Sequence, residues 1–140
     1  MGNFKIIEEG AFADFEFEAR AESLEELFAV CGQATFEAMT DTAKVDCIES
    51  IQFDVSALTL EDLLFTFLAE LIYLKDVKKI FFAKYEIAIN NKFSLSCKAM
   101  GEYINNQKHD LKTDVKAVTY HKLIIKKNDA GYSAHVILDL

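Results

Sequence analysis

The chain has 140 residues, 51% hydrophobic and 27% charged, with 12 Phe, no Pro and a formal net charge of −8. That length suits one core and is short for two, and so high an apolar content excludes a disordered regulator in spite of the charge. The acidic balance argues against tight unaided binding to phosphate backbones, which needs clustered Lys and Arg, so any RNA is expected to be held by a partner.

Lys5 to Arg20 alternates and predicts extended chain, with Ala13, Phe15, Phe17 and Ala19 on one face and Asp14, Glu16, Glu18 and Arg20 on the other. Gly10 predicts a bend or turn between two short strands. Ser23 and Glu26 form an S-x-x-E capping box. Leu24, Leu27, Phe28, Cys31, Ala34, Thr35 and Ala38 then recur at helical spacing, which predicts an amphipathic helix ending near Met39. Asp41, in the Met39-Thr40-Asp41-Thr42 segment, is suited to begin a turn or cap backbone groups.

Ile48 to Val55 alternates again, with Ile51, Phe53 and Val55 on one side, and predicts a strand. Thr59 precedes Glu61 and Asp62, acids suited to a helix N-terminus. Leu60, Leu63, Leu64, Phe67, Leu68, Leu71 and Ile72 make a broad apolar stripe, so this second helix is expected to be the more buried of the two. From Ile80 the pattern is β throughout: IFFAKYEIAI, FSLSCKAMGEYI after Asn90-Asn91, VKAVTYHKLIIK, and YSAHVILDL after Asn128 to Gly131. These four strands are expected to be antiparallel neighbours, with Asn105 to Asp114 as a surface loop. The class is α+β: one domain over residues 1–140, two amphipathic helices packed on one face of a mostly antiparallel sheet.

Cys31, Cys47 and Cys97 are widely spaced, with no C-x-x-C pair, and predict reduced, mostly buried thiols in a cytoplasmic protein rather than a zinc site. No basic, apolar, small-residue sequence opens the chain, so no signal peptide is expected. The run Leu63 to Leu74 contains Glu70 and is shorter than the roughly 20 residues of a membrane span. The glycines are isolated, which leaves no phosphate-binding loop, and no G-x-S-x-G is present, so no catalytic residue is assigned.

The remaining candidates are carboxylates and a cationic block. Asp14 lies among Phe12, Phe15 and Phe17, and Asp139 between Leu138 and Leu140, so each is either on the solvated side of its strand or part of an oxygen-ligand site. If two strand ends unite Asp14, Asp139 and Leu140, such ligands select Mg²⁺ or Ca²⁺ over zinc. Lys108, His109, Lys112, Lys116 and His121 gather cations in a short stretch, interleaved with Asp110 and Asp114. Read blandly, that stretch is a solvated loop with local ion pairs, in which His121 is a partly buried strand residue bonded to a carbonyl. Read functionally, it meets a phosphate, a nucleotide or an acidic partner surface.

Three blocks, KHDLKTDVKAVTYHKL from Lys108 to Leu123, VILDL from Val136 to Leu140, and AMTDT from Ala38 to Thr42 followed by Val45, resemble the archease family. The resemblance implies a non-catalytic protein cofactor of an RtcB-type tRNA-splicing RNA ligase, one that promotes guanylylation of the ligase and its multiple turnover. It also implies a divalent-metal site, Ca²⁺ or Mg²⁺, at Asp14 and Asp139 with a main-chain or terminal oxygen of Leu140. It directs attention to Lys112, His121 and His109 as partner or nucleotide contacts. The family's His-Thr-Ala-Asp stretch reads Ala11-Phe12-Ala13-Asp14 here, so the His and Thr groups are missing. Two other functions compete: a chaperone-like protein exposing an apolar patch, and a metal-dependent hydrolase using the same two aspartates. No tight direct nucleic-acid binding and no membrane association are expected.

Overall fold

Alternating sequence at the two ends of the chain pairs into one sheet, and the alternating middle pairs into another. In the computed structural model, which describes residues 2–9 and 14–140, β1 (Asn3–Glu9) and β2 (Asp14–Ala21) lead to α1 (Leu24–Glu37). A short 3-10 helix (Thr42–Lys44), β3 (Glu49–Ser56) and α2 (Leu60–Lys78) follow. Then come β4 (Ile80–Ile89), β5 (Ser94–Tyr103), β6 (Ala117–Val118), β7 (Ile124–Asn128) and β8 (Gly131–Asp139). The bend assigned to Gly10, the inward face assigned to Ala13 and the Ala11-Phe12-Ala13 departure lie outside the described residues.

The α+β class is as expected, but the strands divide between two antiparallel sheets. One has the order β1-β2-β8-β6 with β7 also paired to β8, and the other has the order β3-β5-β4. The helices touch both sheets: α1 packs on β2, β8 and β4, and α2 on β3 to β5 and on β6 and β7. Helices so placed cover one face of each sheet and leave the other in solvent. That is why β2 buries Phe15, Phe17 and Ala19 while Asp14 and Arg20 are exposed. Inward residues of both sheets and both helices form one hydrophobic cluster.

The helix starts follow the sequence. Ser23 and Thr59 are N-caps, their hydroxyls accepting from the backbone N–H of Glu26 and Asp62 at 3.1 Å each. Asp41 likewise caps the 3-10 helix, accepting from the Ala43 N–H. The relative burial of the helices is the reverse of the expectation: eight of the 14 residues of α1 are buried, against eight of 19 in α2. The reason is that α1 packs closely on β4, β2 and β8, whereas one side of the last turns of α2 stays in solvent at Tyr73 and Val77.

The segment VKAVTYHKLIIK is not one strand. It makes only the two-residue β6, then a turn in which the Leu123 N–H donates to the Tyr120 carbonyl and Lys122 takes φ +56°, then β7. Nor are the last four strands consecutive neighbours, since β5 is the central strand of the second sheet and the next strand, β6, joins the first. The interruption is fixed from outside the segment: Tyr120 stacks on Phe65 of α2 with ring centroids 3.8 Å apart and planes 3° apart.

Candidate metal-binding edge

Asp14 opens β2 and Asp139 closes β8, and antiparallel registry makes them direct cross-strand partners, followed inward by Phe15 with Leu138. Residues so paired share a face with their Cβ atoms about 5 Å apart, and two like charges in that relation repel. The pair lies in the first sheet, Asp14 exposed and Asp139 and Leu140 half-buried. On its other side Asp139 is paired with Ala117 of β6, and its carbonyl accepts from the Lys116 N–H at 2.8 Å. The closing segment and the Lys108-to-Leu123 block, far apart in sequence, therefore meet at this edge.

Asp14 and Asp139 are hard oxygen donors of the kind that Mg²⁺ and Ca²⁺ take. No cluster of three or more His, Cys, Asp or Glu suited to a metal is found among the described residues. The nearest carboxylate along β2, Glu16, is already engaged by His135, whose Nε2 lies 2.5 Å from Glu16 Oε2 while its Nδ1 faces the Lys122 carbonyl at 3.0 Å. The donor set thus fits a cation that keeps several waters, or completes its shell with a partner's atoms, rather than one caged by this chain.

The cationic block is more structural than its composition suggests. His109 is buried: the Asn105 N–H donates to its Nδ1 at 3.0 Å, which leaves Nε2–H to donate to Glu102 Oε1 at 2.8 Å. Glu102 also accepts from the Asp46 backbone N–H at 2.9 Å and pairs with Lys108 at 2.7 Å. These partners, the Asp46 N–H foremost, hold its carboxyl down at about 2. Lys112 donates from Nζ to the Glu37 carbonyl at 3.1 Å and from its backbone N–H to the Met39 carbonyl at 2.9 Å, fastening the loop to the end of α1. Lys75 of α2, itself buried, reaches Asp114 at 2.6 Å and the Val115 carbonyl at 3.2 Å. So residues 105–116 form an ordered strap pinned at three points.

His121 is exposed in the turn after β6, neither on a strand nor partly buried. The carbonyl-bonded histidine expected there is His135. Of the site residues read from the sequence, Asp14, Asp139 and Leu140 come together; His109 and Lys112 are engaged in the strap, and His121 stands in solvent. Sequence reading missed Glu102, Glu16, His135 and Lys75. The Glu16–His135 contact spans 119 residues, and no local pattern announces a pair set by strand register.

Over residues 4–140 the chain matches the family model described as the Archease protein family (MTH1598/TM1083). It is 36% identical over 129 residues to protein archease of Sulfolobus acidocaldarius and 37% identical over 131 residues to that of Methanothermobacter thermautotrophicus, covering in each case 91% of this chain and 93% of the relative. Its fold matches the solution structure of protein 1598 of Methanobacterium thermoautotrophicum with a TM-score of 0.81 and 34% identity, over 99% of this chain and 98% of the other. The crystal structure of a Thermotoga maritima archease, described as a possible chaperone, shares the fold at a TM-score of 0.64 and 21% identity, over 97% of this chain and 96% of that one. This chain belongs to the archease family.

Proposed function

We propose that this protein acts as a non-catalytic cofactor of an RtcB-type RNA ligase in tRNA splicing. It works as one domain over residues 1–140 in the cytoplasm, promoting guanylylation of the ligase and letting it turn over repeatedly. The observation that carries the reading is the cross-strand pairing of Asp14 with Asp139 beside β6. Two carboxylates in register at a sheet end, with a main-chain oxygen of Leu140 next to them, would hold Mg²⁺ or Ca²⁺ and leave part of its shell to a partner. Bound there, the cation supplies positive charge to a phosphate-bearing centre.

The protein's own residues position that edge. Lys116 fixes the Asp139 main chain, and the strap anchors at Glu102, Glu37 and Lys75 hold the segment from which Lys116 emerges. Lys112 and His109 act on the partner through this strap, whereas exposed His121 makes direct contact. Repeated turnover requires a brief association that favours the activation transition state over the resting and product states.

The test is guanylylation and multiple-turnover joining by the cognate ligase with substoichiometric protein, with and without chelator. Strong stimulation, lost in Asp14→Ala and Asp139→Ala together with divalent-ion binding by calorimetry, is the expected result. No stimulation of the cognate ligase refutes the reading. It would move a chaperone-like role ahead, for which exposed Tyr73 and Val77, four residues apart on α2, provide an apolar surface.

A further inference from the structure

The solvent face of the five-stranded sheet changes sign along its length. Asp14 and Asp139 stand at one end. Toward the other, where β7 hydrogen-bonds to β8, a depression of about 400 Å³ is lined by Arg20 of β2, Lys122 of the turn, Lys126 of β7 and Ser133 and His135 of β8. The one carboxylate in its wall, Glu18, takes two donors of Arg20, Nε and one terminal nitrogen, at 2.8 Å each. The rest of the guanidinium fork is left for another acceptor. Among the described residues no carboxylate pairs with Lys122 or Lys126.

We propose that this depression is a binding site for a phosphate dianion, as carried by a phosphate monoester, with Arg20, Lys122 and Lys126 as its cations and the Ser133 hydroxyl as a further donor. Charge and geometry together favour the ligand. Three cations line the depression with one carboxylate, Glu18, while the neighbouring Glu16 carboxylate is taken up by His135, so the local charge is net positive and suits a monoester with up to two negative charges and three acceptor oxygens. A carboxylate, with one charge and two oxygens, would engage fewer of the donors. The chain's net charge of −8 does not cancel the local field. Ser133 and Asp139 are six residue steps apart on β8, about 20 Å at strand rise, and the screening length at physiological salt is about 8 Å.

Lys122 owes its place to the fold. Its carbonyl is bonded by His135 and its backbone lies in the left-handed region, so the turn is set against β8 and delivers the side chain beside Lys126. The site is open, so affinity for a single phosphate is modest, which agrees with the absence of tight nucleic-acid binding expected from overall charge. The inference does not depend on the ligase reading.

An amide NMR titration of the whole chain with inorganic phosphate, AMP, adenosine and a poly-glutamate peptide tests it. Phosphate and AMP should shift the amides of residues 122–126 and 133–135, and adenosine should not. Equal affinities for phosphate and AMP identify the bare oxyanion as the recognised group; tighter AMP identifies the ester. Lys122→Gln with Lys126→Gln should weaken binding at least tenfold, with the thermal melt unchanged because both side chains are exposed. Lys84→Gln with Lys98→Gln on the other sheet should leave binding intact. Equal shifts from adenosine, unchanged affinity in the Lys122/Lys126 variant, equal loss in the Lys84/Lys98 variant, or stronger binding of poly-glutamate than of AMP would each overturn the site.

Discussion

Truncating Phe67 to alanine tests the core at the point where most elements meet. Phe67 is fully buried on α2, with its ring centroid 5.7 Å from that of Phe28 on α1, 6.1 Å from Phe53 on β3 and 6.2 Å from Tyr85 on β4. Phe→Ala substitutions lose transfer free energy and leave a cavity, together about 3–5 kcal/mol, and the loss depends on how far the surroundings collapse. Here the lining rings belong to three elements, each tied by its own helix or sheet hydrogen bonds, so little collapse is available and the upper part of that range, about 4–5 kcal/mol, is expected. Set against a total stability of about 5–15 kcal/mol, that is roughly a quarter of the whole or more. At roughly 3–5 °C per kcal/mol for a chain of this size, Tm should fall by about 12–25 °C. Urea titration followed by circular dichroism measures it, with a slope unchanged from wild type as the sign that the unfolded state is the same. A loss below about 1.5 kcal/mol would refute the reasoning, since volume-conserving core swaps, which leave no cavity, stay within that range.

Leu64→Ala and Leu71→Ala, both fully buried on the same helix, should each lose about 2–5 kcal/mol in the same assay. The low carboxyl of Glu102 has a signed consequence. Its stabilisation of the strap is fully present above the ordinary value of 4.5 and fades as pH falls from there through about 2, so the protection of amides 105–109, taken relative to intrinsic exchange at each pH, should fall over that window. Glu102→Gln should remove the pH step and raise exchange at neutral pH; a step that survives in the variant assigns it to another group. Cys31 and Cys97 are buried, with thiols pushed up by burial, Cys97 to about 12, while Cys47 is exposed. A thiol reagent at pH 8 should therefore label one cysteine in native protein and three after denaturation, and fast native labelling of two or more contradicts the assigned burial. Finally, a Cβ on Gly101 would lie 1.8 Å from the Phe81 carbonyl oxygen, at the register shift where β4 passes β5. Gly101→Ala should destabilise by at least about 2 kcal/mol in urea, and a neutral effect would mean that the two strands separate freely there.

The sequence by itself determined both helices and their starts, most of the strands, and the inward face of β2. These follow from local physics: Ser23 and Thr59 accept from N–H groups three residues on, and the alternation through Phe15, Phe17 and Ala19 fixes the buried side of β2 before any partner is chosen. It also placed Asp14 and Asp139 as acids at strand ends. Tertiary structure decided the rest. Division into two sheets, the greater burial of α1 and the breaking of the Val115-to-Lys126 stretch at Lys122 depend on what each element meets, and Tyr120 turns out of the sheet because Phe65 waits on α2. The functional face was the least legible part. Asp14 opposite Asp139, Glu16 against His135, and Arg20 and Lys126 flanking Ser133 from either side bring together residues about a hundred positions apart, and a shift of one residue in register would send these side chains to the other side of the sheet. Composition records the charges; only the register of β2, β7 and β8 sorts them into an acidic end and a basic end of one surface.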